Sequence, residues 1–97
     1  MTERPTLTLV FSRRFEKSYA RLSEEAQSEC RDALEALRLE QKSSGLRVKP
    51  IQPTKYYLEA RMNRGDRIIF RREGDQLLIA DVVSHDEIDR YGRRSRP

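Results

Sequence analysis

Residues 6–11, Thr-Leu-Thr-Leu-Val-Phe, alternate along the chain and are rich in β-formers. A period of two predicts a strand with Leu7, Leu9 and Phe11 turned to the core. The period then becomes helical. Ser12 is a candidate N-cap for a short helix carrying Phe15, Tyr19 and Leu22 on one face. Ser23 is a second N-cap, and Glu24 and Glu25 follow where carboxylates meet the positive end of the helix dipole. Ala26, Cys30, Ala33, Leu34 and Leu37 recur at helical spacing and predict a helix to about Gln41, before Ser43-Ser44-Gly45.

Residues 43–55, with Gly45, Pro50 and Pro53, read as a loop. Three strands follow, over about 56–62, 67–73 and 76–83, joined by turns at Asn63-Arg64-Gly65-Asp66 and Gly74-Asp75. The near-continuous apolar run of the third predicts a central strand covered on both sides. Ser84-His85-Asp86-Glu87 has capping-box spacing and predicts a short C-terminal helix, and the tail from Arg93 to Pro97 is expected to fray. The order is β-α-α-β-β-β-α in one domain, residues 1–97, without repeats.

Strand alternation sorts the side chains of the three-stranded meander onto two faces. Leu58, Ala60, Met62, Ile68, Phe70, Leu78, Ala80 and Val82 form an apolar face suited to the helical pair. The other face collects Tyr57, Glu59, Arg61, Arg67, Ile69, Arg71, Ile79, Asp81 and, just past the strand, His85. Ile69 and Ile79 would give these charges an apolar floor, as in a concave site.

Composition sharpens that picture. Twenty Lys and Arg oppose sixteen Asp and Glu, giving a net charge of +4. Arg far outnumbers Lys, and its planar fork pairs bidentately with phosphate. Cys30 is the single cysteine, which excludes an intrachain disulfide, and its place on the apolar stripe points to packing. One Cys and one His exclude an ordinary zinc site built by this chain alone, so no metal or other cofactor is expected. With no long apolar run, the expected location is the cytosol.

Arg, carboxylate and His on one face can cleave RNA without a metal. A 2′-hydroxyl attacks the adjacent phosphorus and the 5′-oxygen leaves. A base takes one proton, an acid returns one, and cations stabilise the phosphorane. Arg61 and Arg67 suit the cationic part. His85 suits proton transfer, as acid or as base.

From about Tyr56 to Tyr91 the chain resembles the RelE/ParE superfamily of toxin–antitoxin toxins. Glu59-Ala-Arg-Met-Asn-Arg-Gly-Asp-Arg67-Ile-Ile-Phe resembles its paired-Arg hairpin. Asp75-Gln-Leu-Leu-Ile-Ala-Asp-Val-Val-Ser-His85 resembles the following strand, most of all in the YoeB branch, where a His closes it. His85-Asp86-Glu87 with Arg90 and Tyr91 resembles the C-terminal signature. The resemblance implies an α+β fold: a small antiparallel-rich sheet, a helical hairpin on one face and a short C-terminal helix. It implies a type II toxin that cleaves mRNA in the ribosomal A site and is held by an acidic antitoxin. Arg61, Arg67 and His85 match catalytic positions, and Tyr91 resembles a Tyr near the scissile site. Lys49 lies in the loop where RelE carries catalytic lysines. Arg47, Lys55 and Arg71 are the further RNA-contacting residues expected. YoeB-like members carry a Glu in that loop, where this chain offers Arg47, Val48 and Lys49, so Glu59 on the strand is the acidic alternative for the base. The competing expectations are ParE-type inhibition of DNA gyrase, which needs no His at the strand end, and an RNA-binding domain of this fold without chemistry.

Overall fold

The computed structural model describes residues 6–40, 45–52 and 56–88. Five strands form one sheet: β1 (Thr8–Phe11), β2 (Lys49–Pro50), β3 (Leu58–Arg61), β4 (Asp66–Glu73) and β5 (Gln76–Ser84). Their spatial order is β1-β5-β4-β3-β2. β1 runs parallel to β5 and the other neighbours pair antiparallel. The helices α1 (Arg13–Ala20) and α2 (Glu24–Arg38) form a hairpin between β1 and β2. The architecture is the α+β arrangement expected, with β5 inside the sheet.

Both helices begin where their caps stand. Ser12 Oγ accepts from Phe15 N at 3.0 Å and Ser23 Oγ accepts from Ala26 N at 3.1 Å. Each satisfies an amide that the helix itself leaves without a partner. α2 ends at Arg38, short of Gln41, which lies outside the described residues. Leu39 caps it and Glu40 turns into the left-handed region at φ 55°.

The hairpin covers one face of the sheet. Phe15, Cys30, Ala33, Leu34, Ala36 and Leu37 meet Leu7, Ala60, Ile68, Phe70, Leu77, Ile79 and Val82, all buried. Each large apolar side chain buried there stabilises by roughly 1.5–3 kcal/mol over its exposed state. Burial drives the Cys30 thiol pKa up to about 12, so packing is its role.

Three expectations are corrected. Phe11 is 44% exposed rather than buried, and it stacks on Phe15 with ring centroids 5.2 Å apart. The expected loop contains β2, in which Lys49 pairs with Glu59 and Pro50 with Leu58. The third correction is a β-bulge: Ile69 pairs with Asp81 while Phe70 pairs with Ile79, leaving Ala80 as the extra residue. The bulge reverses the alternation of the first half of β5. Ile79 and Leu77 enter the core beneath the helices, while Leu78 pairs with Arg71 and Ala80 packs with Ile51, Ile69 and Ile88 on the opposite face. Neither Leu78 nor Ala80 is therefore on the helical face. Ser84 opens a 3-10 turn, His85–Glu87, Ile88 is helical, and the rest of the short C-terminal helix expected there lies outside the described residues. The Ser84 amide and hydroxyl both donate to Glu87 Oε1, at 3.2 and 3.1 Å, the carboxylate half of the expected capping box.

Candidate active site

The face away from the helices has an apolar floor and a polar rim. Ile51, Ile69 and Ile88 are buried there, with Tyr57, Ala80 and Val83 packed against them. Ile69 is the floor residue the alternation predicts. Ile51 and Ile88 replace Ile79, which the bulge moves to the core. Beside this floor lies a cleft of about 450 Å³, lined by Lys49, Pro50, Ile51, Gln52, Glu59, His85, Asp86 and Ile88. It brings together three expected site residues that are far apart in sequence: Lys49, Glu59 and His85.

Register explains the meeting. β2 places Lys49 directly across from Glu59 on β3. The end of β5 places Ser84 across from Asp66, so the chain leaves the sheet beside the β3–β4 turn. There His85 N donates to Gly65 O at 2.8 Å, and the His85 side chain is exposed. Glu59 is only 5% exposed, and its Oε1 lies 3.6 Å from Arg67 Nε. Asp81, 4% exposed, is the other buried carboxylate of this face, and its Oδ1 accepts from Val82 N at 2.8 Å.

The arginines differ sharply. Arg67 is turned into the β3–β4 turn, where its Nη1 donates to the carbonyls of Asn63 (3.0 Å), Arg64 (3.4 Å) and Asp66 (3.0 Å). Arg61 pairs with Arg67 across β3 and β4 and lies two residues from Glu59. It also lines a second cleft, toward α2, with Glu29, Asp32 and Asn63. Among the described residues Arg61 makes no ion pair. Arg71 is farther along β4: its Nη2 lies 2.9 Å from Glu73 Oε2 and its guanidinium carbon 4.1 Å from the Tyr56 ring centroid. Arg47, at φ 48°, lines an apolar cleft on the helical side with Leu37, Leu58 and Arg72, apart from Lys49. Tyr91 and Lys55 lie outside the described residues.

Sequence reasoning missed the part played by the β3–β4 turn. Asn63 is its centre: Oδ1 accepts from Gly65 N (2.9 Å) and Asp66 N (2.7 Å), while Nδ2 donates to Glu29 Oε1 (2.8 Å) and Asp66 Oδ2 (3.0 Å). The signal available was the Asn-x-Gly-Asp string, which marks a turn without saying what the turn holds. Among the described residues, no group of three or more His, Cys, Asp or Glu side chains is placed to hold a metal ion. None of the described helices is long and apolar enough to cross a membrane.

No family model matches the chain, and no curated protein matches it. Solved structures do. A copper-bound mutant toxin from Helicobacter pylori superposes with a TM-score of 0.71 at 18% identity, covering 84% of this chain and 97% of that one. A chain of the RelBE2 toxin–antitoxin complex from Mycobacterium tuberculosis gives 0.67 at 17% identity, covering 82% and 99%. The E. coli DinJ-YafQ toxin–antitoxin complex gives 0.68 at 14% identity, covering 84% and 94%. The chain has the fold of the RelE-like toxins. Within that fold, the cleft of Lys49, Glu59 and His85 lies on the sheet face that the helical hairpin leaves open.

Proposed function

We propose that this chain is the toxin of a type II toxin–antitoxin pair and cleaves ribosome-bound mRNA by metal-independent attack of a 2′-hydroxyl. The observation that carries the reading is the shared cleft: a carboxylate, an imidazole and an ammonium border one concavity on a RelE-like fold. Glu59 takes the proton of the attacking hydroxyl. The new bond joins the 2′-oxygen to phosphorus, and the bond to the 5′-oxygen breaks. His85 protonates that leaving oxygen, giving a 2′,3′-cyclic phosphate and a 5′-hydroxyl end. Lys49 and Arg61, which make no ion pair among the described residues, stabilise the charge on the phosphorane. Tyr91, Arg47, Lys55 and Arg71 remain proposed contacts to the flanking RNA.

The partner proposed is a small acidic antitoxin, as the solved toxins in the RelBE2 and DinJ-YafQ complexes are bound to antitoxins. The test is to add the purified chain to mRNA on programmed ribosomes in the presence of a chelator and to map the ends. Cleavage that a single 2′-deoxy substitution at the scissile nucleotide abolishes supports the reading. An intact message together with inhibited gyrase supercoiling moves the chain to the ParE-type activity.

A further inference from the structure

We infer that Arg67 is a positioning residue that holds the carboxylate of Glu59, rather than a ligand of the substrate phosphate. The inference rests on the RNA-cleaving role proposed for the cleft. Its guanidinium is already committed. Nη1 is directed at three carbonyls of the β3–β4 turn, those of Asn63, Arg64 and Asp66, and Nε faces Glu59 Oε1 at 3.6 Å. The two side chains are 12% and 7% exposed. Swinging the guanidinium toward a phosphate would strip the turn carbonyls of a donor and leave a buried carboxylate without its counter-charge, which is strongly unfavourable.

The turn has a second client. Gly65 O accepts from the His85 amide at 2.8 Å, so the same four residues, Asn63–Asp66, fix where the His85 backbone leaves the sheet. One rigid turn thus sets both proposed proton-transfer groups, Glu59 through Arg67 and His85 through Gly65. Asn63 makes that turn rigid, with all four of its side-chain hydrogen-bonding positions filled. Phosphate recognition then falls to Lys49 and Arg61, both without an ion pair among the described residues.

A double-mutant cycle between Glu59→Gln and Arg67→Ala tests this, read as single-turnover cleavage of mRNA on programmed ribosomes beside the salt dependence of RNA binding. Each single variant should lower the cleavage rate about 10²-fold or more, and the double variant should lie close to Glu59→Gln alone, far from the product of the two effects, because Asn63 still holds the turn that fixes His85 and Arg67 acts chiefly through the carboxylate. The slope of log affinity against log salt should be unchanged in Arg67→Ala, whereas Lys49→Ala flattens it by about one contact. Independent, multiplying effects of the two substitutions, or a flattened slope in Arg67→Ala, overturn the inference while leaving the cleaving activity in place. Absence of cleavage by the wild-type chain removes the proposed function instead. Where thermal melts show Arg67→Ala unfolded, Arg67→Lys enters the cycle: a point charge replaces a phosphate contact but not the fork in the turn, so near-wild-type cleavage by Arg67→Lys also contradicts the positioning role.

Discussion

The hydroxyl of Ser12 donates to the carbonyl of Ala80 at 2.6 Å. The first residue is the N-cap of α1 and the second is the extra residue of the β5 bulge. The same hydroxyl accepts from Phe15 N, and Ser12 N donates to Ile79 O at 3.0 Å. The start of α1 and the bulge are therefore one unit, and the bulge decides which residues of β5 enter the core.

Ser12→Ala removes the cap and the tether together. The expected loss is about 1–2 kcal/mol of stability, equivalent to roughly 4–8 °C in Tm per kcal/mol for a domain of this size. Urea and thermal unfolding check it. A variant as stable as wild type contradicts the coupling of cap and bulge.

Asn63→Ala empties the β3–β4 turn of four hydrogen bonds at once. The expected cost is about 1–3 kcal/mol, because the amides and carboxylates left behind lose their partners. Cleavage should fall further than stability alone explains, since Arg67 and His85 both hang from this turn. Activity measured per folded molecule separates the two effects.

Cys30 is completely buried and its pKa is pushed up to about 12 from an ordinary value of 9.0, chiefly by desolvation. The native thiol stays protonated at neutral pH and should react with iodoacetamide only through unfolding. The native state holds this proton more tightly than the unfolded chain, so its contribution to stability is complete below about pH 9 and is lost as pH rises toward about 12. Alkylation at the rate of an exposed thiol in the folded protein contradicts this.

Expressed together with the gene of the proposed antitoxin, the chain should co-purify with an acidic partner whose affinity falls as salt rises, because the chain carries a net charge of +4 and is rich in Arg. Salt-independent association points to an apolar interface instead.

Much of the fold was legible because its elements announce their own limits. Ser12 and Ser23 cap the helices, the Asn63–Asp66 string turns the chain, and the helical spacing of Cys30, Ala33, Leu34 and Leu37 marks a buried stripe. The bulge was not legible. Leu77, Leu78, Ile79 and Ala80 are all apolar, so alternation carries no sign of which two face the helices, and the answer depends on a hydrogen bond from Ser12, 68 positions away. β2 was hidden for a related reason: two residues, one of them proline, have no period, and their pairing depends wholly on β3. Of the candidate site, His85 and Glu59 followed from strand alternation, and strand pairing placed Lys49 beside them. The different engagements of Arg61 and Arg67 could not be read locally, because the carbonyls that hold Arg67 are backbone groups common to every residue.

Replacing His85 by Ala tests the central claim most directly. Its side chain is exposed and supports little packing, so the melt should move by no more than about 0.5 kcal/mol. Primer extension on mRNA from translating ribosomes, wild type beside His85→Ala at equal folded concentration, should show cleavage reduced about 10²–10⁴-fold. Undiminished cleavage by the folded variant would contradict the assignment of this cleft as the active site.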